Sequence, residues 1–259
     1  MNPETLQITI DDRGVARLTL ARPDKHNAMS ARMISELTEA AQALGSNADV
    51  RAVVIQALGK SFCAGGDLEW MRAQFSADRA GRIAEARRLA MMLKALDELP
   101  KPVIAEVRGN AFGGGLGFIS VCDMAVAAET ARFGLTEVRL GLIPATISPY
   151  VTRRIGVSAA RPLFLSGKMF DAHHAAAIGL VDAVVQAPDL EKAVEIEIKE
   201  FLAASPQAAA RAKVLARSFA PPISDEIIDA VVAQLADSWE TAEAREGISA
   251  FFEKRKPQW

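Results

Sequence analysis

The chain has 259 residues, of which 50% are hydrophobic and 24% are charged, a composition typical of a soluble globular protein. It carries 30 Lys and Arg residues against 32 Asp and Glu residues. The resulting net charge of -2 excludes a general attraction to nucleic acid or anionic lipid. The longest uncharged run, between Arg108 and Asp123, is too short for a transmembrane helix. This length predicts one large domain, or a domain with an appendage.

The amino-terminal segment MNPETLQITIDDRG lacks a basic flank followed by an apolar core, so it predicts neither a signal peptide nor a transit peptide. Cys63 and Cys122 are the only cysteines, and the chain has three histidines. Their spacing indicates neither a disulfide framework nor a zinc site. We therefore expect a cytoplasmic protein with two reduced thiols and no metal.

The first part of the chain alternates predicted strands and helices. Residues 6–10 and 15–20 alternate apolar and polar side chains around a turn, which predicts a β-hairpin. Ser30 can cap a helix whose apolar residues share one face. A second helix is predicted from about residue 79 to 99, where Pro100 ends it. Further strands are predicted at residues 52–58, 102–107, 123–127 and 181–185.

The chain after Pro188 predicts three or four helices, interrupted at Ser205-Pro206 and Pro221-Pro222. One apolar stripe in this region needs to be buried, either on the core or on another subunit. The stripe consists of Ile227, Ile228, Val231, Val232 and Leu235. We therefore divide the chain into a core at residues 1–190 and a helical region at residues 191–259.

Two loops rich in small residues each run from a strand toward a helix, at residues 62–68 (FCAGGDL) and 109–117 (GNAFGGGLG). Small side chains let a ligand approach the main chain closely, and free amides at a helix start can bind an anion or an oxyanion. The GxGxxG, GxSxG and HExxH signatures are missing. The pair of loops therefore predicts a site with two backbone donors.

These two loops, together with ARFGLTEVRLGLIP and the carboxy-terminal FFEKRKPQW, resemble the crotonase, or enoyl-CoA hydratase/isomerase, superfamily along nearly the whole chain. The resemblance implies an α/β fold, with a spiral core of ββα units and a helical C-terminal trimerisation region. It also implies assembly as a homotrimer or a dimer of trimers. By the same resemblance, the amides of Ala64 and Gly114 bind the thioester oxygen of an acyl-CoA, Glu137 is the general acid/base, and no cofactor is needed.

One position departs from the family pattern. Typical hydratases of the family carry a second glutamate where this chain has Gly117. Either Glu137 performs both proton transfers, or another residue takes over, or the reaction needs a single acid/base, as double-bond isomerisation does. The segments AFGGGLG and GLTEVRLGLIPATISPYV resemble the hydratases of leucine and acyclic-terpene breakdown, which also tend to lack that glutamate. Their substrates are 3-methylglutaconyl-CoA and longer isoprenoid glutaconyl-CoA esters.

Such substrates end in a second carboxylate, which a planar guanidinium can bind through two hydrogen bonds. Arg72, Arg82 and Arg139 are the candidates, although most arginines on helices face water, which favours a solvated surface position for each. Trp70 and Met71 could form a wall of the acyl pocket, or could simply pack.

The family resemblance also implies a set of acyl-CoA contacts. Lys25 and Lys254 match positions that contact the nucleotide, the second often from a neighbouring subunit. The full predicted set is Lys25, Ala28, Ala64, Gly66, Asp67, Leu68, Phe112, Gly114 and Lys254.

We therefore expect a hydratase acting on a branched, glutaconyl-type enoyl-CoA. A general enoyl-CoA hydratase and an enoyl-CoA isomerase are the alternatives within the family. A relative that binds AU-rich RNA raises a third possibility, an RNA-binding protein. The basic clusters at Arg87-Arg88, Arg153-Arg154 and Lys254-Arg255-Lys256 are short and separated, which argues against it. Neither a nucleic acid nor a membrane is expected as a partner.

Overall fold

The computed structural model describes residues 3–259, and within them ten strands form two sheets. In chain order the strands are β1 (Leu6–Ile10), β2 (Val15–Leu20), β3 (Ala52–Ala57), β4 (Ser61–Cys63), β5 (Val103–Val107), β6 (Asn110–Phe112), β7 (Met124–Ala128), β8 (Arg132–Gly134), β9 (Phe170–Asp171) and β10 (Ala183–Val185). The predicted hairpin is confirmed, because β1 and β2 pair antiparallel with Leu6 opposite Leu20. Gly14 closes its turn at φ +82, a backbone conformation that favours glycine.

Ten α-helices lie in the same described part of the chain. They are α1 (Ala31–Ser46), α2 (Leu68–Ser76), α3 (Arg79–Asp97), α4 (Gly114–Val121), α5 (Ser148–Ser166), α6 (Ala172–Ala177), α7 (Leu190–Ala203), α8 (Pro206–Ser218), α9 (Asp225–Trp239) and α10 (Ala242–Glu253). A 3₁₀ helix at Glu137–Leu140 precedes α5. Ser30 caps α1 as predicted, since its hydroxyl accepts a hydrogen bond from the Met33 amide at 3.2 Å. No helix in residues 3–259 is long and apolar enough to span a bilayer.

The strands alternate between the two sheets along the chain. The larger sheet has the order β1-β2-β3-β5-β7-β10, and the smaller has the order β4-β6-β8-β9. Each of the pairs β3/β4, β5/β6 and β7/β8 therefore gives its first strand to the larger sheet and its second to the smaller. All pairings in this part are parallel except those at β1 and β9. This is the crotonase-like spiral of ββα units, and the fold expected from the sequence is confirmed.

Helix α7 covers one face of the larger sheet. Its apolar residues Leu190, Val194 and Ile198 are fully buried against Val54 of β3 and Ile104 of β5. Burying such side chains stabilises the fold by about 2 kcal/mol each. Helix α7, which begins at Leu190, is thus part of the packing of the larger sheet.

The remaining C-terminal helices contact the core in different ways. Ile228 and Val232 of α9 are buried against Ala86 and Ala90 of α3, so the apolar stripe predicted from the sequence lies partly on the core. Helix α8 has no buried residue. It is attached by ion pairs, of which Arg217 to Asp97 of α3 spans 2.7 Å.

Helix α10 lies directly on the 3₁₀ helix at Glu137–Leu140. A Cβ atom at Gly247 of α10 would be 2.5 Å from the carbonyl carbon of Leu140, and one at Gly141 would be 2.5 Å from the backbone of Glu243. Two glycines, one on each element, therefore let the two backbones approach without side chains between them.

Replacing Gly247 with Ala is expected to lower the free energy of unfolding by about 2 kcal/mol, because the new methyl group would meet backbone atoms that have no room to move. Chemical denaturation followed by circular dichroism measures this. Gly45→Ala is the matched control. It is also a helical glycine, but its Cβ would meet only a side-chain atom of Pro100 at 3.3 Å. Equal losses in the two variants would contradict the importance of this contact.

Candidate active site

The first small-residue loop connects β4 to α2 and is held by Asp67. This residue caps α2, since its carboxylate accepts hydrogen bonds from the amides of Glu69 at 2.8 Å and Trp70 at 3.3 Å. Arg22 donates to the same carboxylate at 2.8 Å. Burial raises the pKa of Asp67, but the hydrogen bonds from Arg22 and the two amides outweigh it, and the pKa is lowered overall. Asp67 is therefore a charged structural anchor of the loop.

The structure revises the assignment of the first oxyanion donor. The Ala64 amide donates to the His26 carbonyl at 3.1 Å, so it is not free to bind a ligand. The Gly66 amide makes no hydrogen bond within residues 3–259, and Gly66 lines the large cavity of the protein. Gly66, which the sequence placed only among the acyl-CoA contacts, is thus a free donor of this loop, and so is Gly65, which lines the same cavity.

The second loop connects β6 to α4 and ends at Gly113. This residue has φ +50 and ψ -118, which only glycine adopts readily, and its amide donates to the Gly134 carbonyl at 2.9 Å. The next amide, that of Gly114, is the first of α4 and has no partner within residues 3–259. The helix dipole adds positive character at this end. Gly114 therefore fits the role of donor predicted from the sequence.

Glu137 begins the 3₁₀ helix and reaches toward the second loop. Its Oε1 atom lies 3.0 Å from the position that a Cβ on Gly113 would occupy. The residue as a whole is half-buried, but its Oε2 atom is fully covered and has no hydrogen-bond partner within residues 3–259. Burial raises the pKa of Glu137 to about 7, against a small lowering by its own backbone amide. A carboxyl group with this pKa can both accept and return a proton near neutral pH.

The raised pKa of Glu137 predicts a pH-dependent cost to stability. Because the folded state holds this proton more tightly than the unfolded state, the stabilising contribution is complete below pH 4.5 and is lost as the pH rises through about 7. Glu137→Gln should remove this slope. Between pH 4 and pH 9, the free energy of unfolding of the variant should rise by about 3 kcal/mol relative to that of the parent. Urea denaturation across this pH range measures it, and parallel stability curves would contradict it.

One cavity of about 880 Å³ contains these groups. The predicted residues that line it are Lys25, Ala28, Ala64, Gly66, Asp67, Leu68, Phe112, Gly114 and Glu137. Lys254 of the same chain does not line it. Helix α10 and the segment after it also supply residues that were not among the predicted contacts, namely Gly247, Phe251, Arg255 and Pro257. The cavity thus joins the free amides of Gly66 and Gly114 with the carboxyl group of Glu137, whose pKa is raised.

Comparisons with known proteins identify the family of the chain. The family model for enoyl-CoA hydratase/isomerase matches residues 11–259. The chain belongs to this family. An enoyl-CoA hydratase structure from Shewanella pealeana is 42% identical, covers 99% of this chain and 96% of its own, and has a TM-score of 0.81. One from Mycobacterium avium is 33% identical over the whole of both chains, with a TM-score of 0.89. The enoyl-CoA hydratase ACTT6 of Alternaria alternata is 33% identical over 93% of this chain and 80% of its own length.

In this member of the enoyl-CoA hydratase/isomerase family, the space beside Gly117 is closed. A Cβ there would lie 2.7 Å from Cγ2 of Ile147 and 3.4 Å from Cδ1 of Leu93. Ile147 also lines the cavity. An apolar side chain therefore fills the place that a second carboxylate at position 117 would need.

The structure separates the three arginines proposed from the sequence. Arg72 and Arg139 line the cavity, and neither has a carboxylate partner within residues 3–259. Arg72 stacks on the Phe252 ring at 4.7 Å. Arg82 donates instead to the carbonyl groups of Gln74 and Phe75 and does not line the cavity. Arg82 is therefore excluded as a ligand for a substrate carboxylate.

Cys63 precedes the first loop and is fully buried. Burial raises the pKa of its thiol to about 12, so a thiolate does not form at neutral pH. Cys63 thus fits a packing role, in line with the sequence-based interpretation. Among the described residues 3–259, His, Cys, Asp and Glu side chains form no cluster of three or more that could hold a metal.

Proposed function

We propose that this protein adds water across the double bond of an enoyl-CoA thioester. The observation that carries the proposal is the presence of the free amides of Gly66 and Gly114 in the same cavity as Glu137. Two such donors can bind the thioester oxygen, and the carboxyl group can transfer protons when water adds to the carbon–carbon double bond.

The proposed reaction uses Glu137 twice. Its carboxylate takes a proton from water while the water oxygen bonds to the β-carbon, and the electron pair of the double bond moves to make an enolate. The enolate oxygen accepts hydrogen bonds from Gly66 and Gly114, which stabilise its charge without any reorganisation. Glu137 then returns the proton to the α-carbon, and the carbonyl group forms again. The chain supplies every group in this sequence, so the proposal needs no cofactor.

We further propose that the substrate is a glutaconyl-type ester with a distal carboxylate. Arg72 and Arg139 support this, because they place two guanidinium groups without carboxylate partners on the cavity wall. Arg139 lies in the same 3₁₀ helix as Glu137, so the proposed carboxylate ligand and the proposed acid/base are on one short element. A guanidinium binds a carboxylate through a charge-assisted pair of hydrogen bonds.

The test is incubation with crotonyl-CoA and 3-methylglutaconyl-CoA, followed by mass spectrometry. Gain of one water on the carboxylated ester is expected. Arg139→Gln should raise KM for this ester about 10-fold or more and leave crotonyl-CoA unaffected, whereas Arg82→Gln serves as the control and should change neither. Equal effects of Arg139→Gln on both esters would contradict the proposed substrate. If neither ester is hydrated, the proposed reaction is contradicted.

Double-bond isomerisation is the second candidate. The Ile147 side chain beside Gly117 favours it, because isomerisation needs only a single group that moves a proton between two carbons. The same mass spectra separate the two reactions, since an isomerised product has the mass of the substrate.

Assembly as a homotrimer, or as a dimer of trimers, completes the proposal. Lys254 is exposed and lies outside the cavity of its own chain, so its proposed nucleotide contact would be made in a neighbouring subunit. Helix α8 and the residue after it also expose Val214, Leu215 and Phe219, an apolar surface that a subunit contact could cover.

A further inference from the structure

Met29 lies between the two loops of the cavity and joins the first through its backbone. Its amide donates to the Gly65 carbonyl at 2.7 Å, and its carbonyl accepts from the Asp67 amide at 3.0 Å. These two bonds form an isolated parallel bridge between Met29 and Gly66. Successive amides of an extended segment point to opposite sides, so the Gly66 amide faces away from Met29. Met29 thus fixes the direction of this donor.

The side chain of Met29 contacts the second loop. Its terminal methyl group occupies the space where a Cβ on Gly114 would be, and its sulfur lies 3.2 Å from that position. Met29 is only 3% exposed and lines the cavity. One residue therefore holds Gly66 with its backbone and rests on Gly114 with its side chain.

We propose that Met29 is a positioning residue that sets the separation of the Gly66 and Gly114 amides. The proposal rests on the oxyanion role of these amides in the proposed function. Two donors act on one oxygen only when each lies about 2.7–3.1 Å from it. The two amides come from different turns of the spiral. Met29 bonds to the residues on either side of Gly66, and its side chain lies against Gly114. A displacement of about 1 Å in such a site can cost about 100-fold in rate.

The variant Met29→Ala removes the contact with Gly114 and leaves the backbone bonds to Gly65 and Asp67 possible. Met29→Leu keeps an apolar side chain of similar volume and is the conservative variant. Met92→Ala is the matched control, because Met92 is also fully buried but lies on α3 and does not line the cavity. Thermal unfolding of all three variants shows whether Met29→Ala and Met92→Ala lose similar amounts of stability.

Two readouts are measured. The first is kcat and KM with the ester that the parent hydrates. The second is the infrared carbonyl band of bound butyryl-CoA, a saturated ester that cannot add water. Hydrogen bonds from two amides shift this band to lower frequency, so it reports the donors without turnover. Met29→Ala is expected to lower kcat about 100-fold with little change in KM, and to reduce the band shift. Met29→Leu should restore most of both.

The proposal is overturned if Met29→Ala keeps the parent's kcat and band shift, or if Met92→Ala loses as much as Met29→Ala. A parent protein that shifts the band but hydrates no ester would contradict the proposed reaction alone, since the band still tests Met29. A parent that binds butyryl-CoA without any band shift would overturn both the oxyanion assignment and the role of Met29.

Discussion

Glu137→Gln is expected to lower kcat for hydration by about 10³-fold while acyl-CoA binding persists. Glutamine has the size of glutamate but can neither take a proton from water nor return one to the α-carbon. Position 117 supplies no second carboxylate, because it is a glycine and Ile147 fills the space beside it. Steady-state kinetics and binding of butyryl-CoA by calorimetry separate the two effects.

The pH dependence of kcat/KM provides a second test of Glu137. A base must be ionised to act, so kcat/KM should rise with pH through the pKa of Glu137, which is about 7. Glu69→Gln is the matched control, because Glu69 is an exposed carboxylate on the wall of the same cavity. It should keep both the rate and the profile of the parent. Near-normal turnover by Glu137→Gln would refute the assignment of the acid/base.

Gly66→Pro is expected to lower kcat by about 10²- to 10³-fold, because proline has no N–H and one of the two proposed donors would be lost. The remaining donor, Gly114, and Glu137 would keep part of the rate. Binding of butyryl-CoA and thermal unfolding should be measured in parallel, so that a loss of fold is recognised.

The identity of the first donor can also be tested in the unaltered protein by NMR. The Ala64 amide is bonded to His26 and should be protected from hydrogen exchange with or without ligand. The amides of Gly66 and Gly114 should become protected only when butyryl-CoA is bound. Protection of Ala64 that appears only with the ester would restore Ala64 as the donor and exclude Gly66.

The regular elements of this fold could be predicted because their signals are local. The hairpin of β1 and β2 follows from alternation around a turn, and the start of α1 follows from the Ser30 cap. The strands β4, β6, β8 and β9 were not predicted. They have only two or three residues each, and pairing within the smaller sheet, rather than the pattern of their own residues, makes them strands.

The site was predicted in outline but not in its contacts. Glu137 and the two loops follow from motifs that are contiguous in the sequence. Which amide of the first loop is free depends on the His26 carbonyl, which belongs to a different segment in a left-handed conformation at φ 50. The side chain that fills the space beside Gly117 likewise comes from a distant residue, Ile147. Such facts exist only after the chain has folded.

The close contact of α10 with the 3₁₀ helix determines when, during synthesis, the cavity can close. During synthesis the spiral core emerges before α10, and domains tend to fold from the N-terminal side as they emerge. At that stage the backbone around Gly141 has not yet made its contact with α10, and the cavity lacks the wall that Phe251 provides. A nascent chain can therefore hold Glu137 and both loops and still have an open, water-filled site. Closure of the cavity therefore depends on α10 as well as on the spiral core.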